Sequence, residues 1–185
     1  RFAQGHQIRL AVSTTLWPLA WPPPCPAALT IHGQASHLEL PTRPTTGENA
    51  EVAFDEPVAA RGLPMQTLRP PDAKWQVFRD LGSEASALEV LKDHGETLRE
   101  DIDLAFSNRV KESYRFQGDD FLSARGETEI HREWSREGWH CEIKGRTRMT
   151  CDEAKFYIYA ELDAFLNRER MFSKTWKESI PRNFQ

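Results

Sequence analysis

Apolar and polar residues alternate with a period of two along much of this chain. Ile8, Leu10, Val12, Thr14 and Leu16 share one side of an extended segment, and Arg9, Ala11, Ser13 and Thr15 share the other, which predicts a half-buried strand. Ala27–His32, closed by Gly33, reads as a second strand, and His37–Leu40, ended by Pro41, as a third. Between Pro41 and Asp72 the periodicity fades among six prolines and a polar loop, Thr45–Asn49. A connection of this length is read as a linker or wrapping arm over 47–72, pinned by Phe54, Val58, Leu63, Met65 and Leu68.

Alternation returns at Trp75–Asp80 and at Ala87–Lys92, after a Gly82-Ser83 turn. A turn is expected at Asp93–Gly95, mixed character over Leu98–Phe106, and then a strand with Val110, Glu112, Tyr114 and Phe116 on one side. The last sixty residues are the clearest. Thr128–Trp134 leads through Ser135–Gly138 into Trp139–Cys151, then Phe156–Ala164, a turn at Leu166–Glu169, and a final strand stopped by Pro181. Aromatic and β-branched residues alternating with charges argue against a helix over Glu153–Phe165. These four strands predict an antiparallel meander with one apolar face, which another layer must cover. The Trp75–Phe116 strands are the local candidates.

One stretch breaks this pattern. Ser13–Pro26 holds two of the six tryptophans and five of the twelve prolines. Proline fixes φ and lacks an N–H, so the run is stiff and extended, outside any helix or central strand. Trp17 and Trp21 must bury against something, and with Trp139 they are the candidate packing or interface residues.

Composition narrows the function classes. A net charge of −4 gives no general attraction to nucleic acid or anionic membranes, so neither is expected as a partner. No apolar run approaches the ~20 residues that span a bilayer, and no signal peptide is evident. Three cysteines, Cys25, Cys141 and Cys151, read as reduced thiols in a cytoplasmic protein. The chain opens on Arg1 and runs straight into alternation, as a fragment or processed chain would.

Candidate chemistry is sparse. Gly-x-Ser-x-Gly, which holds a nucleophile on a strand-to-helix elbow, is absent from the sequence. Ser13, Ser107 and Ser123 sit in strand or turn contexts without a nearby base. His6, His32, His37, His94, His131 and His140 are scattered without metal-site spacing, and Cys141 with His131 or His140 lacks a fourth ligand. Asp101/Asp103 and Asp119/Asp120 read as turn chemistry. Arg168, Arg170, Lys174, Lys177 and Arg182 interleave with Phe172, Trp176 and Phe184, more as a charged protective edge than as a nucleic-acid face. No catalytic residue, cofactor or metal is expected.

The run Ile8–Pro24, with its Trp17-Pro18-Leu19-Ala20-Trp21-Pro22 core, followed by Leu29-Thr30-Ile31, resembles the C-terminal region of the CocE/NonD-type hydrolases, the cocaine-esterase and Xaa-Pro dipeptidyl-peptidase family. Asp119–Arg125 is similar to an Asp-Asp-Pro-Leu-Ser-Ala-Arg motif of a bacterial subgroup, with Phe121 in place of the proline, and Phe172–Arg182 is similar to its ending. The resemblance is weakest between Gly47 and Asp72. It implies a mainly β chain: the last strands of a jelly-roll β-sandwich over 1–46, the arm over 47–72, and an antiparallel β-rich extension over 73–185. It also implies a non-catalytic role supporting the sandwich and substrate entrance, beside an upstream α/β-hydrolase domain of the same polypeptide that carries the Ser-Asp-His triad. A homo-oligomer is a further expected partner. The alternative is an independent β-sandwich module that binds a carbohydrate or a protein, with its tryptophans as stacking platforms.

Overall fold

A computed structural model describes residues 4–41 and 54–183. The chain is mainly β. Among the described residues, eight antiparallel strands form one sheet: β1 (Met65–Arg69), β2 (Asp72–Arg79), β3 (Ala85–Arg99), β4 (Leu104–Gln117), β5 (Asp120–Arg136), β6 (Trp139–Cys151), β7 (Lys155–Leu166) and β8 (Glu169–Pro181). From β3 to β8 each strand pairs with the next, so the sheet is an up-and-down meander.

The turns follow from local chemistry. Two-residue loops close β5–β6 at Glu137-Gly138 and β7–β8 at Asn167-Arg168. Asn167 and Arg168 both have positive φ, the left-handed pair that matches strand twist in a tight hairpin. Between β2 and β3, Asp80 caps the loop, its Oδ1 accepting from the Gly82 and Ser83 backbone N–H groups at 2.9 and 3.4 Å.

β1 and β2 pair with successive stretches of β3, so Met65–Arg79 is one edge strand broken at Pro70-Pro71. Two expectations are corrected here. Part of the anticipated 47–72 arm is strand, because proline is tolerated at a sheet edge where no ladder partner needs its N–H. Asp93–Gly95 does not turn the chain; it is an irregularity inside the fifteen-residue β3, opposite the proline break. The reversal comes later, at the short 3-10 turn Glu100–Ile102.

Register sorts the side chains onto two faces. Leu88, Val90, Val110, Tyr114, Ile130, Trp134, Cys141, Ile143, Met149, Ile158, Leu162 and Trp176 share the apolar face. Glu89, Arg109, Lys111, Glu127, Glu129, His131, Glu142, Lys144, Arg146 and Glu161 share the other. The Trp75–Phe116 strands extend this same sheet instead of covering it, since consecutive hairpins bond edge to edge. The apolar face is therefore thinly covered. Among described hydrophobic residues only Val90, Ala105 and Ala124 are buried, whereas Trp75 and Val77 are each 74% exposed. The chain exposes 15253 Å², against about 9,100 Å² for a compact monomer of its mass.

Residues 4–41 form no ladder strand; their one regular element is a 3-10 turn, Gly33–Ala35. The alternations at 8–16, 27–32 and 37–40, expected as the last jelly-roll strands of 1–46, form no strand and lack a ladder partner among the described residues. Alternation describes which side chains want burial; a strand also needs a partner for its backbone. The Thr45–Asn49 loop, the boundary between 46 and 47, and Phe184 lie outside the described residues.

Candidate functional site

Two places bring chemistry-bearing residues together. The first is where Ser13–Pro26 folds onto the apolar face. The Trp17-Pro18 peptide is cis, and Ala20 N–H donates to the Leu16 carbonyl at 2.9 Å, curling the chain into a hook. Trp17 and Trp21 meet edge to face with centroids 4.9 Å apart. Trp17 then stands edge-on to Tyr114 at 5.9 Å, and Trp21 to Phe156 at 5.6 Å. Such perpendicular pairs set the positive rim of one ring against the negative face of the next. Gly126 lies beneath the hook, where an added Cβ would make an ordinary 3.8 Å contact with the Trp21 ring.

Arg182, just past β8, locks this arrangement and is only 8% exposed. Its guanidinium donates to the Pro22 carbonyl at 2.6 Å and the Asp152 carbonyl at 2.8 Å, and lies over the Phe156 ring at 4.8 Å. Proline supplies the fully buried ring, Pro22, and a carbonyl without an N–H to satisfy. The C-terminal basic residues thus do not form one surface. Arg182 is internal, Lys174 lies over Trp176 on the apolar face, and Arg170 and Lys177 face the other way.

Trp139 is not part of the hook. It begins β6, whereas Cys151, which contacts Trp21, ends it, about 40 Å along an extended strand. Trp139 carries Arg136 over its ring at 5.7 Å instead.

The second place is the charged face, where β4–β7 line a depression of 510 Å³ with Arg109, Lys111, Glu129, His131, Lys144 and Arg146 among its walls. Glu127 accepts from Arg125 at 2.6 Å on one oxygen and from Arg146 Nε at 2.6 Å on the other. Burial alone would raise the Glu127 pKa, but these hydrogen bonds outweigh it and hold the carboxyl below the usual range. At the hairpin end of this face, His131 Nε2 lies 2.6 Å from Glu142 Oε1, which Lys144 Nζ also contacts at 2.8 Å. The hydrogen bond from Lys144 holds Glu142 below the usual range against its partial burial, and His131 adds to the effect. His140 Nε2 lies 3.5 Å from Glu133 Oε1, and Ser107 Oγ donates to Glu133 Oε2 at 3.1 Å.

Sequence spacing missed this group. The clue was His131-x-Glu133 and His140-x-Glu142, two period-two pairs on the arms of one hairpin; a linear search for clustered histidines passes over it. The other candidates stay apart. His37 pairs with Glu39 on an exposed segment, Asp101 with Arg99, and Asp120 caps its own turn through Leu122 N–H. Ser36 Oγ donates to the His32 backbone carbonyl at 2.9 Å, and Cys25, Cys141 and Cys151 are free thiols. No described helix is long and apolar enough to cross a membrane. No family model, curated protein or solved structure matches the chain.

Proposed function

We propose that this chain is a non-catalytic β layer of a cytoplasmic α/β-hydrolase-type enzyme, of the CocE/NonD kind that its tryptophan–proline segment resembles. It would support the sandwich and substrate entrance beside a catalytic domain of the same polypeptide. The observation that carries the reading is the sheet's apolar face, which the hook covers at one end only and which leaves Trp75 and Val77 open. A face of this kind is a docking layer in search of a second layer.

The test is turnover by the chain itself of aryl esters and Xaa-Pro chromogenic dipeptides. No turnover is expected; robust turnover overturns the reading. Tryptophan fluorescence separates the module reading. A soluble carbohydrate that shifts the emission, with the shift abolished in Trp75→Phe, makes the open face a ligand platform instead.

A further inference from the structure

The hairpin β5–β6 carries a His-x-Glu pair on each arm, and register places the two pairs head to tail. Glu133 stands directly opposite Glu142, with His131 and His140 on the flanking diagonals. Like charges directly opposite on neighbouring strands are unfavourable, so the position of these two carboxylates requires compensation. Lys144 supplies part of it, through one oxygen of Glu142. We propose that the three side chains His131, Glu133 and Glu142 form a binding site for a divalent transition metal of the zinc class, beside which His140 contacts Glu133 from its diagonal.

Three features carry the assignment. The donor atoms of His131, Glu133 and Glu142 all lie within 4.8 Å of one another, and His140 Nε2 is 3.5 Å from Glu133 Oε1. A tetrahedral shell with bonds of about 2.0–2.2 Å places neighbouring donors roughly 3.3–3.6 Å apart. The 2.6 Å His131–Glu142 contact opens to that value by a side-chain shift of about 1 Å. The donor set is also chemically suited: an imidazole with two carboxylates favours zinc-like ions over calcium or magnesium, and the two negative charges neutralise the cation. Finally, the carboxylates are already oriented. Ser107 Oγ holds Glu133 Oε2, leaving Oε1 toward the cluster, and Glu142 has a second oxygen beside the one that Lys144 contacts. Hydrogen-bonded carboxylates of this kind are the usual outer support of a metal ligand. Cys141 lies between His140 and Glu142 in sequence but points to the opposite face, so the site is built without thiolate.

Three protein ligands leave the fourth position of a tetrahedral shell to water or another small ligand. Calorimetric titration of Zn²⁺ into the metal-free full chain near neutral pH tests this. One ion per chain is expected, with binding weakened in acid because protons compete with the metal for its ligands. Outer-shell substitutions typically cost about 10–100-fold in affinity, so loss of the imidazole ligand in His131→Ala should cost at least about 100-fold. Cys141→Ser should bind as the parent does, and circular dichroism checks that each variant is folded. As a readout that needs no variant, Co²⁺ bound to the parent chain should give tetrahedral visible bands that thiol alkylation leaves intact. Absence of saturable Zn²⁺ binding, binding of parental affinity in His131→Ala, or bands abolished by alkylation would each overturn the proposal.

Discussion

The indole N–H of Trp21 donates to Sγ of Cys151 at 3.1 Å, joining residues 130 positions apart in the chain. This contact fixes a stiff proline segment to the end of a central strand. Trp21→Ala removes the ring contacts with Trp17 and Phe156 as well as this bond. Because Trp21 is half-buried, we expect a loss near the lower end of the about 3–5 kcal/mol known for buried Trp→Ala changes. Trp21→Phe keeps much of the ring packing and should cost about 1 kcal/mol, the value of one hydrogen bond. Urea unfolding followed by circular dichroism measures both. In Trp21→Ala the Cys151 thiol should also react faster with a thiol reagent.

Arg182 makes a second anchor of the same hook from the opposite terminus. Its fork reaches two backbone carbonyls, of Pro22 and Asp152, while its plane covers Phe156. A lysine ammonium is a point charge and cannot reproduce that planar geometry. Arg182→Lys should therefore destabilise nearly as much as Arg182→Ala, by roughly 1–3 kcal/mol for the stranded carbonyls. A lysine variant as stable as the parent would show that charge alone suffices.

These two anchors mark the limit of what the sequence made legible. Period-two alternation located β4 to β8 and the sidedness of the meander, because each strand there has a neighbour one short turn away. The same alternation at Ile8–Leu16 misled, since no pattern along one strand reveals whether a partner exists for its backbone. The stiffness of Ser13–Pro26 was readable, but its landing place on Tyr114, Phe156 and Cys151 was not, because those residues come from three different strands. The His131–Glu142 group was hidden for a related reason: cross-strand neighbours are distant in sequence until the register is known.

The charged face should make stability fall in acid. The Glu127 carboxyl, held below its usual range by Arg125 and Arg146, titrates lower in the folded than in the unfolded chain. Its contribution is therefore complete above the unfolded glutamate value of about 4.3 and is lost as pH falls through the lower folded value. Glu127→Gln should lower stability at neutral pH and flatten the decline below about pH 4.3. Arg146 is 42% exposed, so added salt should shrink the difference between the two proteins. Thermal melts across the acid range at two salt concentrations check both effects.

Gly95 controls the geometry of the broken edge. Its φ of +76° is the left-handed region that side chains disfavour. Space is also lacking: an added Cβ would overlap the Arg69 carbonyl oxygen and come within 2.8 Å of the Pro70 carbonyl carbon and 2.9 Å of the Pro71 nitrogen. These are backbone atoms of the β1–β2 break, which cannot rotate away as a side chain does. Gly95→Ala thus adds a steric displacement to the roughly 1–3 kcal/mol cost of a strained backbone conformation. We expect it to detach Met65–Arg69 from β3 while the β4–β8 meander persists. Amide hydrogen exchange resolves that pattern: protection should fall at Gln66–Leu68 and Glu96–Leu98 and stay unchanged in β6 and β7. Uniform loss of protection across the sheet would mean that the broken edge and the meander unfold as one unit.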